Sequence, residues 1–552
     1  MNKGVKQMCF MILLACMASA QTFTGGVTGT VTDPTAALVP GANLTLTNLD
    51  TNEIRRQASN ESGFFTFTAL PPGRYRLEVE RPGFKKFVQS PIEVRVQQFV
   101  TLNAVLEVGQ ASQTVEVTGQ VALLDASTSS LSQIVENRQI TELPLNGRNT
   151  LALVALTPGI RSQGEFEQHT ATRSYASWAN FSSNGGMANA NETLVDGAPV
   201  SMYLINTPSL IPPVDATQEF RVQTSNYAAE FDRSSGAMIN ISTKSGTNRL
   251  HGSVYEFLRN DKFDANDFFQ NRAGQKRPVL VYNQFGFSAG GPVLLPKVYD
   301  GRDKTFFFGN FEGFRQRLGQ TLTTTVPTAR QLDGDFSQTF NAAGQLVQIA
   351  DPLATVAGPN GTTLRSVFAG NRIPANRIDP VANNLRTGNR IWALPNGPGE
   401  PLTGVNNFST SATRANDSDQ VVTRIDHNLG QKWRLFGTFA AQSYALGGFD
   451  PFRNGTDLLD VGGNESNRTV TGVIGATALF SPNLVGEFRS SFGRFRNNRV
   501  PPSDGFDLTS LGFPKSLADS QQFKAFPLFL FSGVPGMGKL STSEIRRITN
   551  NW

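Results

Sequence analysis

The chain has 552 residues, a net charge of +5, 17% charged residues, 52 glycines and 41 phenylalanines. That length accommodates three or four domains, and the low charge with abundant Gly, Thr, Ser and Asn marks a β- and turn-rich protein, neither disordered nor helical. Lys and Arg are spread along the chain without a basic run or stripe, which argues against a nucleic-acid partner.

Residues 1–20 read as a signal peptide. Lys3 and Lys6 form a basic n-region, Met8 to Met17 an apolar stretch too short to span a bilayer, and Ala18-Ser19-Ala20 a small-residue cleavage site before Gln21. A lipoprotein signal through Leu13-Leu14-Ala15-Cys16 is the second reading, although the Leu before Ala fits it poorly. Both cysteines, Cys9 and Cys16, lie in this segment, so the mature chain has no thiol for disulfides, metal ligation or nucleophilic catalysis. No other stretch reaches 18 consecutive apolar residues, so an exported chain of this kind is periplasmic, secreted or inserted as a β-barrel.

From about 25 to 108, short alternating runs are separated by turn residues. Val27 to Thr32, Asn43 to Asn48, Ser62 to Phe67, Arg74 to Glu80, Ile92 to Val96 and Val100 to Leu106 predict a small sandwich of about seven strands. Gly29-Thr30-Val31-Thr32-Asp33, Pro40-Gly41-Ala42, Gly63-Phe64-Phe65 and Leu70-Pro71-Pro72-Gly73-Arg74-Tyr75 resemble the carboxypeptidase regulatory-like domain. The resemblance implies a non-catalytic module. His169, His251 and His427, the three histidines, are scattered without zinc-ligand spacing.

Residues 109–120 read as a linker. Within it Thr114, Val115, Glu116, Val117 and Thr118 look like a TonB box, the extended segment that pairs as an added strand with TonB. The same residues also read as the last strand of the sandwich. Residues 121–248 follow, with a helix predicted over Ser132 to Ile140. Leu143-Pro144 with Asn146-Gly147-Arg148, then Val195-Asp196-Gly197, Glu219-Phe220-Arg221-Val222 and Ile239 to Asn248 resemble, in that order, the mixed α/β plug of Oar-like TonB-dependent receptors. Asp196 and Asp215 have no base or nucleophile beside them in sequence and read as turn and loop residues.

From 249 to 552 the strands alternate more cleanly. Trp433, Leu435, Gly437, Phe439 and Ala441 oppose Lys432, Arg434, Thr438 and Gln442; Val421 and Ile425 oppose Arg424 and Asp426; Leu484, Phe488 and Phe492 oppose Glu487, Arg489 and Ser491. One apolar and one polar face fits lipid outside and water or plug inside a transmembrane antiparallel barrel. His251 to Asp261, Tyr282 to Gly286, Gly290-Gly291-Pro292 and Lys304 to Gly313 resemble the first barrel strands of the Oar-like group. Asn371 to Pro374 with Arg377 to Pro380 resembles its long extracellular loop, and the Phe306 to Phe314 run suits an aromatic girdle. A 22-stranded barrel needs about 450 residues, and roughly 300 follow the plug, so the barrel is expected to be partial and the sequence looks truncated.

The overall expectation is a mainly β protein of the outer membrane, with its sandwich in the periplasm. The resemblance implies a TonB-dependent receptor or transporter that takes up a large ligand (oligosaccharide, peptide or chelate) by plug movement. Its partners would be TonB with the inner-membrane energising complex, and outer-membrane lipid. The alternative is a barrel-anchored adhesive or structural protein without active transport. No enzyme is read: Gly533 to Lys539 nearly spells a phosphate-binding loop, but Leu540 stands where the hydroxyl belongs, and no cofactor is implied.

Overall fold

Apolar positions that alternate with polar ones between residues 25 and 105 pack face to face as two sheets. The computed structural model describes residues 24–110, 113–117, 131–162, 181–188, 190–202, 206–227, 235–272, 276–387, 391–456, 464–481, 484–534, 536 and 545–551. Ala20 and Gln21 at the signal cleavage site, Thr118, and the Met537 to Lys539 part of the phosphate-loop look-alike lie outside the described residues.

The sandwich strands are β1 (Gly25–Thr32), β2 (Asn43–Asn48), β3 (Ile54–Ala58), β4 (Phe64–Leu70), β5 (Gly73–Glu80), β6 (Lys86–Val94), β7 (Phe99–Thr101), β8 (Ala104–Val105) and β9 (Thr114–Val117). One sheet runs β4-β1-β7 with β8 also on β1, the other β3-β2-β5-β6-β9. Val27, Val31, Phe65 and Phe67 of one inner face meet Leu44, Leu46, Leu77 and Val79 of the other. A Cβ on Gly29 would lie 1.7 Å from the Leu102 carbonyl oxygen, so this crossing admits only glycine. Sequence patterning missed β3 because Arg55 takes its inward position. That guanidinium is satisfied by the carbonyls of Thr68 (2.8 Å) and Ala69 (3.3 Å) and by Glu53 (3.0 Å).

The region expected to be the plug comprises β10 (Leu131–Val135), helix α1 (Asn137–Glu142), β11 (Ile160–Ser162), β12 (Phe181–Ser183), β13 (Glu192–Val195), β14 (Ala198–Pro199), β15 (Ser201–Met202), β16 (Thr207–Pro208), β17 (Thr217–Ser225) and β18 (Met238–Thr243). Its main sheet runs β10-β17-β18-β13-β14, with β13 parallel to β18. Val135, Ile140, Leu151, Val154, Phe220, Val222, Ile239 and Ile241 form its core. The single helix expected over Ser132 to Ile140 is instead a strand followed by α1. Its first half pairs with β17, where β-branched Ile134 and Val135 fit the pleat. The helix starts only at Glu136, whose side chain and that of Gln139 close a capping box.

The wall is one up-and-down antiparallel sheet. It uses β19 (His251–Asn260), β20 (Leu280–Pro292), β23 (Thr305–Thr324), β26 (Phe408–Leu429), β27 (Trp433–Leu446), β28 (Asn464–Ser481), β29 (Leu484–Val500) and β30 (Ile545–Asn551), in that order. Two small hairpins lie off it, β21 (Leu294–Leu295) with β22 (Tyr299–Asp300) and β24 (Ala350–Ala357) with β25 (Thr363–Val367). Even positions of β26 and β27 (Arg424, Asp426, Thr438, Gln442) face the plug and are buried or half-buried. Odd positions (Ile425, Trp433, Leu435, Phe439) are exposed on the outer surface. The same alternation divides the Phe306 to Phe314 run. Phe306, Phe308 and Phe314 are buried against the plug side, and only Phe307 and Phe311 take the outward positions, so the run is not a girdle as a whole. The sandwich sits at the short-turn end of the wall: the Asn52 amide donates to Asp303 (3.0 Å) and the Asn248 N–H to the Asp50 carbonyl (2.9 Å). At the opposite end, segments 325–387, 391–407, 447–456 and 501–530 pack together around Leu385, Ile391, Leu511 and Phe526.

Candidate functional site

Asp196 and Gly197 form the two-residue turn between β13 and β14, with φ of 49° and 79°. Asp-Gly suits a hairpin turn that needs two left-handed residues. The turn carries the fully buried Asp196 carboxylate to the wall. There it accepts hydrogen bonds from the Thr243 amide (2.9 Å), the Thr243 hydroxyl (2.6 Å), the Thr438 hydroxyl (2.8 Å) and Arg424 Nη1 (3.1 Å). Arg424 also donates through Nε (2.8 Å) and Nη2 (3.0 Å) to Asp426, which takes a third bond from Arg434 at 3.2 Å. Two carboxylates and two guanidiniums therefore alternate from plug into wall, so every charge has an opposite neighbour.

A second polar cluster joins the same partners. Arg148 pairs with Asp215 inside the plug and reaches Glu312 of β23 at 3.5 Å. Glu312 accepts from the Tyr255 hydroxyl (2.8 Å) and the Gln284 amide (3.0 Å), and the Ser253 hydroxyl donates to Asp215 (3.2 Å). The Arg148 guanidinium lies 4.6 and 4.7 Å over the rings of Tyr255 and Phe257. Between the two clusters the apolar contact is small, with Leu210 and Ala216 of the plug meeting Phe308, Val422 and Ala440 of the wall.

A third junction ties the sandwich to the plug. The carboxylate of Glu219 on β17 accepts a hydrogen bond from the Val96 amide, and Arg221 donates to the Gln97 carbonyl and to Ser132 Oγ (2.7 and 3.0 Å). Arg95 beside them pairs with Glu136 (2.7 Å) and Glu93 (3.1 Å). Burial pushes the Glu219 carboxyl up to about 7, against the lowering effect of the Val96 N–H and Arg95. Because its folded value is raised above that of the unfolded chain, the folded state binds the extra proton between about 4.5 and 7. Stability is therefore highest at the acid end of this window and falls as pH rises through it. Glu219→Gln should flatten the fall, on the order of 2–3 kcal/mol across the window, in urea unfolding monitored between pH 5 and pH 8. An unchanged slope would assign the pH dependence elsewhere.

Sequence reading and structure meet unevenly here. Thr114 to Val117 form β9 at the edge of the sandwich sheet, parallel to β6 in the register Lys86↔Thr114 to Gln89↔Val117. Asp196 and Asp215, read as turn and loop residues, each anchor a cluster. Of their partners, Arg424 is legible in the sequence only as a charge on the polar side of an alternating strand and Glu312 only as part of the Lys304 to Gly313 run, and cross-strand register is what brings them to the plug. Among the described residues no group of three or more His, Cys, Asp or Glu is placed to hold a metal ion.

Comparison with known proteins supports the architecture. The carboxypeptidase regulatory-like domain matches residues 26–107, and the outer membrane beta barrel domain matches residues 242–552. The chain is 26% identical over 322 residues to the TonB-dependent transporter Oar of Myxococcus xanthus, a stretch covering 56% of this chain and 28% of that protein. It therefore spans well under half of that relative's length. Among solved structures, the outer membrane transporter YddB from Escherichia coli is similar at 10% identity and a TM-score of 0.39, with 67% of this chain and 39% of that one covered. The ferric enterobactin receptor PfeA from Pseudomonas aeruginosa gives 12% identity and a TM-score of 0.37, over 69% of this chain and 43% of that one. With more than half of its length matched by that barrel domain, the chain belongs to the outer membrane beta barrel domain family.

Proposed function

We propose that the chain acts in TonB-dependent transport across the outer membrane, and that the plug, held to the wall by releasable ionic clusters, is what moves. The single observation that carries this reading is the Asp196–Arg424–Asp426–Arg434 chain of charges. A buried ion-pair interface adds orientation more than net adhesion, because its charges recover hydration once separated. With a small apolar patch beside it among the described residues, such an interface holds one register at rest and opens under force. Residues 121–248 are then the plug domain and 249–552 the wall. Thr114 to Thr118 form the segment that TonB grips, and the sandwich of residues 25–108 lies on the periplasmic side.

Similarity to the Oar transporter agrees with this role, and a wide lumen closed by a plug suits a large ligand such as an oligosaccharide, peptide or chelate. The test is accumulation of labelled oligosaccharide, peptide and metal-chelate pools by cells carrying the gene, in strains with and without TonB. Uptake of one pool that vanishes without TonB supports transport. Surface binding that is equal in both strains, with no uptake, would replace it with an anchoring role.

A further inference from the structure

The outward face of the wall changes character at one level. Below that level it is apolar on neighbouring strands: Phe307 and Phe311 on β23, Val421 and Ile425 on β26, Leu435 and Phe439 on β27, Val470 and Ile474 on β28, Phe488 and Phe492 on β29, with Arg494 directly opposite Val470 at the top of this apolar zone. Above it, toward the long loops, Arg315, Arg317, Asp417, Asp419, Ser443, Ser466, Arg468, Arg496 and Asn498 take the same outward positions. Arg315 and Arg317 are spent on Asp419 (2.7 Å) and Asp417 (2.6 Å). The side chains of Arg468, Arg494 and Arg496 are exposed, and no side-chain hydrogen bond or ion pair joins them to another described residue.

Register makes this arrangement costly when empty. Asp419, Ser443, Arg468 and Arg496 are direct cross-strand partners in one row, so two guanidinium-bearing residues stand opposite each other, and Arg494 is two residues from Arg496 on the same face. Like charges directly opposite on a sheet destabilise it, and no carboxylate is interposed between these. An open cavity of about 540 Å³ lies against Arg468, Arg496, Ser443 and Asn498, and also against Asp417 and Asp419, whose carboxylates are paired with Arg317 and Arg315. Height fixes what could fill it. From Leu484 at the short-turn end to Arg494 is about ten residues of strand, and at ~3.3 Å each and a tilt of ~40° the rise is about 25 Å. That equals the apolar band of an outer-membrane barrel, so the arginines stand where lipid headgroups begin.

We propose that Arg468, Arg494 and Arg496 form a binding surface for the phosphate of a lipid headgroup on the outer wall of the barrel. Guanidinium forks match phosphate oxygens in charge and geometry, and Val470 beside Arg494 with the apolar rows beneath (Ile474, Phe488, Phe492) receives the acyl chains of the same molecule. The occupant is an anionic phospholipid-type molecule, since a free anion would gain nothing from that apolar continuation.

The experiment uses the full chain in neutral-detergent micelles doped with phosphatidic acid, or with diacylglycerol of the same acyl chains, reading lipid retained per protein by native mass spectrometry. Phosphatidic acid should be retained selectively. The Arg468→Ser/Arg496→Asn double variant should bind it about tenfold more weakly, and Arg494→Ser should fall between. All three positions are exposed, and removing the opposed pair should leave the lipid-free melting temperature equal or raised, which separates lost binding from lost folding. Equal retention of diacylglycerol, an unchanged affinity in the double variant, or displacement of the lipid by millimolar inorganic phosphate would each overturn the proposal.

Discussion

Deletion of residues 114–118 should abolish energised uptake while leaving ligand binding at the cell surface intact. Within the described part of this segment, β9 is held by only four register pairs with β6. Its side chains are mostly exposed, with Val115 alone half-buried. Hydrogen bonds of this kind contribute about 0.5–1.5 kcal/mol each, so the strand can be peeled from the sandwich, or extended on its open edge by an added strand, without unfolding the core around Leu77 and Val79. Strand order explains how a pull there would reach the wall. The chain leads from β9 to β10, and the plug sheet runs β10-β17-β18-β13, ending at the turn that carries Asp196. Tension on the segment is thus transmitted across three strand pairings to the ionic cluster. Val115→Pro, which removes one backbone donor and restricts the strand, should reproduce the loss without shortening the tether. Uptake by the deletion variant at the wild-type rate would remove this segment from the mechanism. Far-ultraviolet circular dichroism of both variants should stay unchanged, since the β9 side chains contribute little to the core.

What the sequence made legible follows the period of its side chains. Over the lower parts of β26, β27 and β29 a two-residue alternation prevails, so both faces could be read there: Val421, Ile425, Leu435 and Phe488 outward, Arg424, Asp426 and Arg434 inward. The reading failed where a polar residue takes an inward place, as Arg55 does in β3. It also failed where β-branched residues sit beside a helix start, as Ile134 and Val135 do before α1. Aromatic density misled for a related reason, since Phe306, Phe308 and Phe314 are buried on the inward side whereas a girdle needs outward rings. The clusters at Asp196 and Asp215 were beyond reach. Each joins residues more than a hundred positions apart or on unconnected elements, and only the register of plug against wall decides which charges meet.

Replacing Arg424 by methionine should destabilise the plug–wall assembly more than any other single change at this interface. The guanidinium is 3% exposed and lies between Asp196 and Asp426, which are 0% and 4% exposed. Without it two buried carboxylates face a site that retains only Arg434, and that cation reaches Asp426 alone. Breaking a buried pair by removing one partner typically costs about 3–5 kcal/mol, mainly because a charge is left uncompensated. Asp196→Asn should cost less, because an amide oxygen still accepts from Thr243 and Thr438 and no carboxylate is stranded on the plug. The double variant Asp196→Asn/Arg424→Met should recover part of the loss, leaving a coupling on the order of 1–3 kcal/mol in a double-mutant cycle. Thermal unfolding in detergent and protease protection of the 131–248 segment would measure it. Additive effects would show that Asp196 and Arg424 contribute independently, and the charge chain would then be no latch. If the coupling is found, the same variants should raise basal leakage of large hydrophilic solutes, because a plug that no longer holds one register leaves the lumen before TonB acts on it.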